Sequence, residues 1–316
     1  MSHILITGAS GFIGSALVKH IGQTGQHQLT LIDQHFATNS GIEKQRQLTG
    51  SFGNAALLEQ ALQNPVDIVF HLASVPGSAA EANAALGTQI NLLDTQSLFN
   101  RLSLGRSSDG TPVRVVFAST IAVYGAIGAQ PCSEDLKPQP TISYGTHKWM
   151  SEILLADLTR RGQLDARSLR LPGIVARPTA PPHAPSGLGS AFMSDLIRNL
   201  AAGKAYTCPV SEHATAWWMS RPCCIKNLMH ASALAPIDLN ASRVWQLPVL
   251  HASIGQIVEA LKRRYGADKK PLVSFEPNSK IEALFGALPP LQTPLACAQG
   301  FEHDGDLDTL ITNSLL

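Results

Sequence analysis

Apolar and polar positions in the first half of the chain alternate between two patterns. Short, almost entirely apolar runs are typical of buried strands, and they predict strands at 3–7, 29–33, 66–73, 113–119 and 167–175. Apolar residues at helical spacing predict helices between them at 12–21, 55–62, 81–102 and 144–161. Apolar strands that alternate with helices form a parallel sheet with both faces covered. Right-handed crossovers then give an α/β fold, a Rossmann-type doubly wound parallel sheet.

The pattern changes after Pro178. Residues 178–190 are rich in proline, glycine and serine and predict irregular structure. Helices at 191–202 and 222–233 and a strand at 244–248 follow. We therefore expect a first domain of residues 1–176 with a return segment at about 220–250. A smaller, mostly C-terminal α/β lobe is expected from 177–219 and 251–316.

Composition narrows the classes of function. The net charge of +1 argues against nucleic-acid or anionic-membrane binding, and no apolar stretch is long enough to span a bilayer. The N-terminus lacks the charged and apolar regions of a secretory signal, so a cytoplasmic protein is expected. The five cysteines form no C-x-x-C pair, and the eleven histidines show no metal-binding spacing. We expect reduced thiols and no metal site.

A glycine-rich loop, Thr-Gly-Ala-Ser-Gly-Phe-Ile-Gly, joins the first predicted strand to the first predicted helix. The first glycine allows a tight turn, the second lets the backbone approach a pyrophosphate, and the third lets the helix pack on the strand. The helix N-terminus then presents N–H groups to the phosphates. We predict a dinucleotide site that includes Gly8, Ser10, Gly11, Phe12, Ile13 and Gly14. Turn glycines without a ligand are the alternative.

Asp33 ends the second predicted strand, where an acidic side chain binds the ribose hydroxyls of a dinucleotide. The next residue is Gln34 and not an arginine that would bind a 2′-phosphate. The sequence therefore favours NAD over NADP.

Residues 144–148 read Tyr-Gly-Thr-His-Lys, which puts Tyr144 and Lys148 on one face of a helix. A phenol is a poor base at neutral pH, and a neighbouring ammonium group stabilises its phenolate. Thr120 follows the strand at 113–119, at the end that faces the ligand crevice of such a sheet. These residues predict an alcohol dehydrogenase site in which Thr120 orients the substrate oxygen, Tyr144 is the base and Lys148 lowers its pKa. His147, between them, is predicted on the solvent side.

The order of these motifs, with His71-Leu-Ala, Asn91 and Ala118–Gly125, resembles the extended short-chain dehydrogenase/reductase superfamily, also called the NAD-dependent epimerase/dehydratase family. The resemblance implies the roles of Thr120, Tyr144 and Lys148 described above, with Ser119 as a second candidate for the hydroxyl. It implies that the cofactor also contacts Leu72, Ala73, Asn91, Pro172, Ile174 and the two catalytic residues Tyr144 and Lys148. A homodimer is expected.

Two segments depart from the family pattern. The helix that begins at Asn91 has Asp94 where the family has glycine, and the usual G-D-x-x-D segment reads Gly-Ser-Phe-Gly-Asn at 50–54. The acidic residue near the adenine is therefore missing, and Ser51 or backbone groups are expected to bind the adenine.

The stretch from Arg170 to Pro178, with segments near Trp217 and Phe275, is similar to the D-erythronate dehydrogenase subgroup. This similarity implies oxidation of the C2 hydroxyl of a short sugar acid to the 2-keto acid. Ser78 and Thr120 are candidate substrate residues because each follows a predicted strand at the ligand crevice. Arg177 and Arg221 are further candidates, because an arginine binds a carboxylate in a bidentate manner. Trp217 and Trp218 either line the pocket or pack in the core. A nucleotide-sugar epimerase and a non-catalytic NAD-binding sensor or scaffold are the alternatives.

Overall fold

A computed structural model describes residues 2–36, 45–178, 189–235 and 243–315. These residues form two compact units. The first contains residues 1–120, 142–170 and 228–245, and the second contains 121–141, 171–227 and 246–316. The domain boundaries expected from the sequence separate cofactor binding from substrate binding. A division into compact units does not test which ligand each part binds, so those boundaries stay a prediction.

Strands and helices alternate along much of the chain. As far as residue 120 the elements are β1 (His3–Thr7), α1 (Phe12–Gly22), β2 (Gln28–Asp33), β3 (Gln45–Thr49), α2 (Ala55–Ala61), β4 (Ile68–His71), α3 (Gly77–Ala82), α4 (Ala84–Thr88), a π-helical turn (Gln89–Asp94), α5 (Thr95–Ser103) and β5 (Val113–Thr120). Residues 121–220 contain a 3₁₀ turn (Ile121–Tyr124), β6 (Cys132–Ser133), α6 (Ser143–Arg160), β7 (Leu164–Leu171), β8 (Gly173–Val175), α7 (Ala191–Ala201), β9 (Tyr206–Cys208) and β10 (Thr215–Ser220). The remaining elements are α8 (Arg221–Ala233), β11 (Val244–Gln246), β12 (Leu250–Ser253), α9 (Ile254–Tyr265), a 3₁₀ turn (Ala267–Leu272), β13 (Val273–Phe275), α10 (Ser279–Phe285), β14 (Leu291–Gln292), α11 (Pro294–Ala298) and α12 (Leu307–Ser314).

The first unit is built on a seven-stranded sheet with the order β11-β7-β5-β4-β1-β2-β3. The pairs β1–β2, β1–β4, β2–β3 and β4–β5 are parallel. Leu5, Val69, Val115, Phe99 and Leu155 belong to one buried apolar cluster of this unit, which explains why its strands are apolar throughout. Since the chain reverses its direction of winding between β1 and β4, ligands are expected at the carboxyl ends of these strands. The predicted doubly wound α/β fold is confirmed.

The second unit has smaller sheets, with the orders β12-β10-β8, β13-β9 and β14-β6. Its core includes Trp218, Leu196, Ile257 and Leu310, so helices α7, α9 and α12 share one apolar cluster with β10. Both tryptophans are fully buried: Trp217 Nε1 donates to the Pro289 carbonyl at 2.7 Å and Trp218 Nε1 to Ala252 at 3.0 Å. They are core residues of this unit.

Three differences between the structure and the predicted elements have a clear local cause. The helix predicted at 81–102 is interrupted, because the Asn83 side chain accepts a hydrogen bond from the Leu86 backbone and starts α4. The strand predicted at 167–175 is two strands in different sheets, because Pro172 has no N–H to donate between them. Strand β3 was not predicted, because its sequence, QRQLT, is mostly polar. Of the predicted irregular stretch 178–190, residues 179–188 lie outside the described residues.

Helix α6 is the longest described helix, with 18 residues, and it carries both apolar and charged side chains. No helix among the described residues combines the length and the apolar character needed to cross a membrane.

Candidate active site

The glycine-rich loop joins β1 to α1 in a space that only glycine fits. Gly8 has a φ of +73°, and a Cβ atom there would lie 2.7 Å from the Ala73 nitrogen. At Gly14 a Cβ atom would lie 2.0 Å from the Gly8 carbonyl oxygen. Helix α1 begins at Phe12 and has no acidic residue in its first turn. The positive N-terminal end of α1 is therefore suited to a pyrophosphate, and this cradle fits a dinucleotide.

The carboxylate of Asp33 lies beside this loop at the end of β2. Its Oδ2 atom accepts a hydrogen bond from the Ser10 backbone nitrogen at 2.8 Å, and its Oδ1 atom accepts one from Gln34 at 2.7 Å. A carboxylate has about four acceptor sites, so both ribose hydroxyls can still bind here. A 2′-phosphate would be repelled by the same charge, and the arrangement therefore suits NAD better than NADP.

The segment after β4 lies against the glycine loop. The backbone nitrogen of Leu72 donates to the Thr7 carbonyl at 3.1 Å, and Ala73 is the residue that a side chain at Gly8 would meet. Asn91, which is buried in the π-helical turn, binds both backbone groups of Val75, at 2.7 and 2.9 Å. Asn91 thus fixes the segment that leads to α3.

The two segments that depart from the family pattern are in contact. In the turn after β3, the Ser51 hydroxyl accepts a hydrogen bond from the Gly53 nitrogen at 3.1 Å. A Cβ atom on Gly53 would lie 2.2 Å from Cγ of Asp94, so the Asp94 carboxyl group occupies the space beside this glycine. The adenine role of Ser51 stays a prediction.

Thr120, Tyr144 and Lys148 all belong to the first unit. Thr120 is the last residue of β5, while Tyr144 and Lys148 lie one turn apart at the start of α6. Lys148 is buried, and its Nζ atom donates to the Ala118 carbonyl at 2.7 Å. The same atom lies 4.6 Å from the centre of the Phe117 ring and 5.8 Å from that of Tyr144. A threonine hydroxyl, a phenol and an amine are thus brought to the carboxyl end of β5.

Burial lowers the pKa of Lys148 from 10.5 to about 7, and the Glu152 carboxylate opposes this effect. His71, also buried, has its pKa lowered well below its ordinary value, first by burial and then by Lys148. His71 therefore remains neutral beside a lysine that can gain or lose a proton near neutral pH. The protonation of such a lysine is therefore coupled to the protonation of a nearby phenol.

A buried network that the sequence analysis missed lies directly behind these residues. Glu152 accepts a hydrogen bond from the Ser119 hydroxyl, and it accepts two from Arg170, at 3.1 Å from Nε and 2.7 Å from Nη2. The Ser119 hydroxyl, which the sequence offered as a second candidate, is thus engaged with a carboxylate. Glu152 follows Tyr144 and Lys148 at the same four-residue spacing and so lies on the same face of α6. This spacing is the feature of the sequence that could have pointed to Glu152.

Helix α3 packs against the first turn of α6. A Cβ atom on Gly77 would lie 3.7 Å from Cδ1 of Tyr144, and Ser78 is the next residue. Glu81 accepts a hydrogen bond from the Ser143 backbone nitrogen at 2.7 Å and so caps α6. The prediction for His147 was wrong. His147 is buried, and Glu81 of α3 lies near enough to raise its pKa against the larger effect of burial.

The remaining predicted residues lie in the second unit. Pro172 precedes β8, and Ile174 lies within it. The Arg177 guanidinium donates to Ser190 Oγ at 2.8 Å. Arg221 begins α8, whose first turn is capped by the Ser220 hydroxyl accepting from Cys223 at 3.2 Å. Their substrate and cofactor roles stay predictions.

No three histidine, cysteine, aspartate or glutamate side chains among the described residues are grouped as a metal ion would require.

Comparison with known proteins identifies relatives along the whole chain. Residues 4–218 match the model of the NAD dependent epimerase/dehydratase family. D-erythronate dehydrogenase from Cupriavidus necator is 34% identical, over 98% of this chain and 96% of that protein. D-erythronate dehydrogenase from Haemophilus influenzae is 29% identical, over 98% and 97% respectively.

A solved structure is also similar. The nucleoside-diphosphate-sugar epimerase from Agrobacterium tumefaciens has a TM-score of 0.87 and 30% identity, over 98% of this chain and 92% of that chain. The family match and the two dehydrogenases make NAD the cofactor. The chain belongs to the NAD dependent epimerase/dehydratase family, and it is an NAD-dependent oxidoreductase.

Proposed function

We propose that the protein oxidises the C2 hydroxyl of a short sugar acid, D-erythronate or a close aldonate, to the 2-keto acid with NAD. The observation that carries the proposal is the buried Lys148, one turn from Tyr144 and hydrogen-bonded to the strand that ends in Thr120. The choice of substrate is supported by the similarity to two D-erythronate dehydrogenases over nearly the whole chain.

In the proposed reaction, NAD, when bound, would supply the acceptor for the hydride that leaves C2 of the substrate. The Thr120 hydroxyl binds the C2 oxygen and orients it toward Tyr144. The Tyr144 phenolate takes the hydroxyl proton, so a C–H and an O–H bond break while the carbonyl forms. Lys148 stabilises the phenolate and donates to the nicotinamide ribose. Its buried position supports this role, because a charge acts more strongly where water is excluded.

The same proposal assigns the cofactor contacts. Gly8, Ser10 and the N-terminal turn of α1 bind the pyrophosphate, Asp33 binds the adenosine ribose and Ser51 lies at the adenine. Two further sets are proposed to contact the cofactor: Gly11, Phe12, Ile13 and Gly14 in the loop, and Leu72, Ala73, Asn91, Pro172 and Ile174 elsewhere.

For the substrate carboxylate we propose Arg221 as the first anchor and Arg177 as the second, assisted by Ser78. The position of Ser78 is supported by its neighbour Gly77, where a Cβ atom would lie 3.7 Å from Cδ1 of Tyr144. One well-placed guanidinium is enough for a small carboxylate.

We also propose a cytoplasmic homodimer. Leu86 and Leu93 are exposed beside α6, whose Met150 and Ile153 are exposed as well. A second copy of this chain would bury this apolar surface. All five cysteines are free thiols, in keeping with a reducing compartment. Ile153→Lys should give a monomer by light scattering, and an unchanged mass would contradict the proposed surface.

An epimerase is the second candidate, since the similar structure from Agrobacterium tumefaciens is named as one. The two activities differ in whether NADH accumulates, because an epimerase regenerates its NAD. The test is to add D-erythronate and other short aldonates with NAD and follow NADH absorbance. A parallel reaction supplies UDP-sugars. Net NADH from the acid supports the dehydrogenase, epimerisation without NADH supports the rival, and NAD binding without either reaction would indicate a sensor or scaffold.

A further inference from the structure

Glu152 is a buried carboxylate that joins three elements of the first unit. It lies on α6, and only 3% of its surface is exposed. It accepts a hydrogen bond from Ser119 on β5 and two from Arg170 on β7. The charge is therefore paired, and each of its bonds has a defined direction.

The contacts between α6 and the end of β5 fall on consecutive residues. Lys148 binds the carbonyl of Ala118, and Glu152 binds the hydroxyl of Ser119. The next residue is Thr120, which ends the strand. Tyr144 lies on α6 together with Lys148 and Glu152. The contacts of Lys148 with Ala118 and of Glu152 with Ser119 therefore both constrain the distance between Thr120 and the proposed base, Tyr144.

We propose that Glu152 is a positioning residue: through Ser119 it fixes the end of β5, and thereby the Thr120 hydroxyl, relative to Tyr144 and Lys148. The inference rests on the proposed function, because it concerns the catalytic roles proposed for these three residues. Glu152 itself touches neither substrate nor cofactor.

Two physical arguments support this role. A buried ion pair contributes little net stability compared with apolar residues of similar size, whereas the two parallel hydrogen bonds from Arg170 to Glu152 constrain the geometry of the carboxylate. Transfer of a proton and a hydride is sensitive to geometry, since a misplacement of about 1 Å can cost about a hundredfold in rate. Burial lowers the pKa of Lys148, and the negative charge of Glu152 raises it. Glu152 therefore favours the charged form of Lys148.

The first test removes only the Ser119 hydroxyl. In Ser119→Ala we expect kcat with D-erythronate, counted per NAD-binding site, to fall about tenfold. The KM for the acid and the Kd of NAD, measured by calorimetry, should stay within about twofold of the wild-type values. A partly unfolded protein would instead lose NAD-binding sites and keep its kcat per site.

Ser151→Ala is the matched control. Ser151 is a buried serine on α6, and its hydroxyl donates to the His147 carbonyl at 2.9 Å. The control therefore also loses the hydrogen bond of a buried serine hydroxyl, but one that stays within α6 and does not reach β5, and it should keep the wild-type kcat. Equal kcat in Ser119→Ala, Ser151→Ala and the wild type would overturn the proposal.

The second variant, Glu152→Gln with Arg170→Met, removes both charges and leaves no unpaired buried ion. We expect it to lower kcat per site at least as much as Ser119→Ala. Wild-type kcat in this double variant would also overturn the proposal.

A measurement without substrate separates this inference from the proposed function. Amide hydrogen exchange in the peptide that covers Val113–Thr120 should be at least about tenfold faster in Ser119→Ala than in Ser151→Ala or the wild type. If the wild type forms no NADH from any acid, the proposed reaction fails, and this exchange rate still decides whether Glu152 fixes the strand end. Unchanged exchange refutes it.

Discussion

Replacing the buried Lys148 by methionine should make the cofactor-free protein more stable near neutral pH while it abolishes turnover. Methionine has a similar length and no charge. It can therefore occupy the buried position beside Phe117 and Ala118 without the cost of burying an ammonium group. The change also removes the hydrogen bond to the Ala118 carbonyl, which contributes about 1 kcal/mol.

The magnitude follows from the pKa of Lys148, which burial lowers from 10.5 to about 7. This lowering of the pKa corresponds to a cost on the order of 5 kcal/mol for the charged folded state. Below pH 7 the lysine is charged in both the folded and the unfolded protein, and the folded protein then carries the full cost of burying the charge. Between about pH 7 and pH 10 the unfolded chain binds the extra proton, so the free energy of unfolding of the wild type rises with pH.

The advantage of Lys148→Met should therefore be largest near about pH 6.5 and shrink by about 2 kcal/mol at about pH 9. The assay is urea unfolding without NAD, followed by circular dichroism and tryptophan fluorescence across this range. Lys19→Met is the control, because Lys19 is an exposed lysine on α1. A difference between Lys148→Met and the wild type that stayed constant with pH would refute the reasoning.

Three further predictions concern the proposed reaction. Tyr144→Phe should bind NAD normally and lose at least about 10²-fold in kcat, measured as NADH formation; a near wild-type kcat would exclude Tyr144 as the base. Asp33→Ala should narrow a preference for NAD over NADP of about 10²-fold or more in kcat/KM, and equal use of both cofactors by the wild type would contradict the role of Asp33. Arg221→Ala should raise the KM for the acid by an amount corresponding to about 1.5–3 kcal/mol and leave the Kd of NAD unchanged; if the KM is also unchanged, the carboxylate binds elsewhere.

The sequence predicted the parts of the fold and site that local chemistry specifies. The glycine loop could be predicted because Gly8 and Gly14 are needed where backbone atoms meet. The pair Tyr144 and Lys148 could be predicted because helical spacing alone brings them together. Strand β3 could not, because an edge strand with polar residues has no apolar pattern to detect.

The network around Glu152 depends on tertiary structure. Ser119, Glu152 and Arg170 come from β5, α6 and β7, and their contacts require β5 and β7 to be neighbours in the sheet. The burial of His147 also depends on tertiary structure, since Glu81, which acts on its pKa, belongs to α3. Spacing along the chain carries no information on these contacts.

The contact between Gly53 and Asp94 joins the turn after β3 to the π-helical turn, two segments that lie far apart in sequence. A side chain at residue 53 would require the Asp94 carboxyl group, the far end of that side chain, to move aside. The effects of changing these positions should thus be strongly non-additive. The side chains that residue 53 tolerates are therefore set by a residue that lies far away in the sequence.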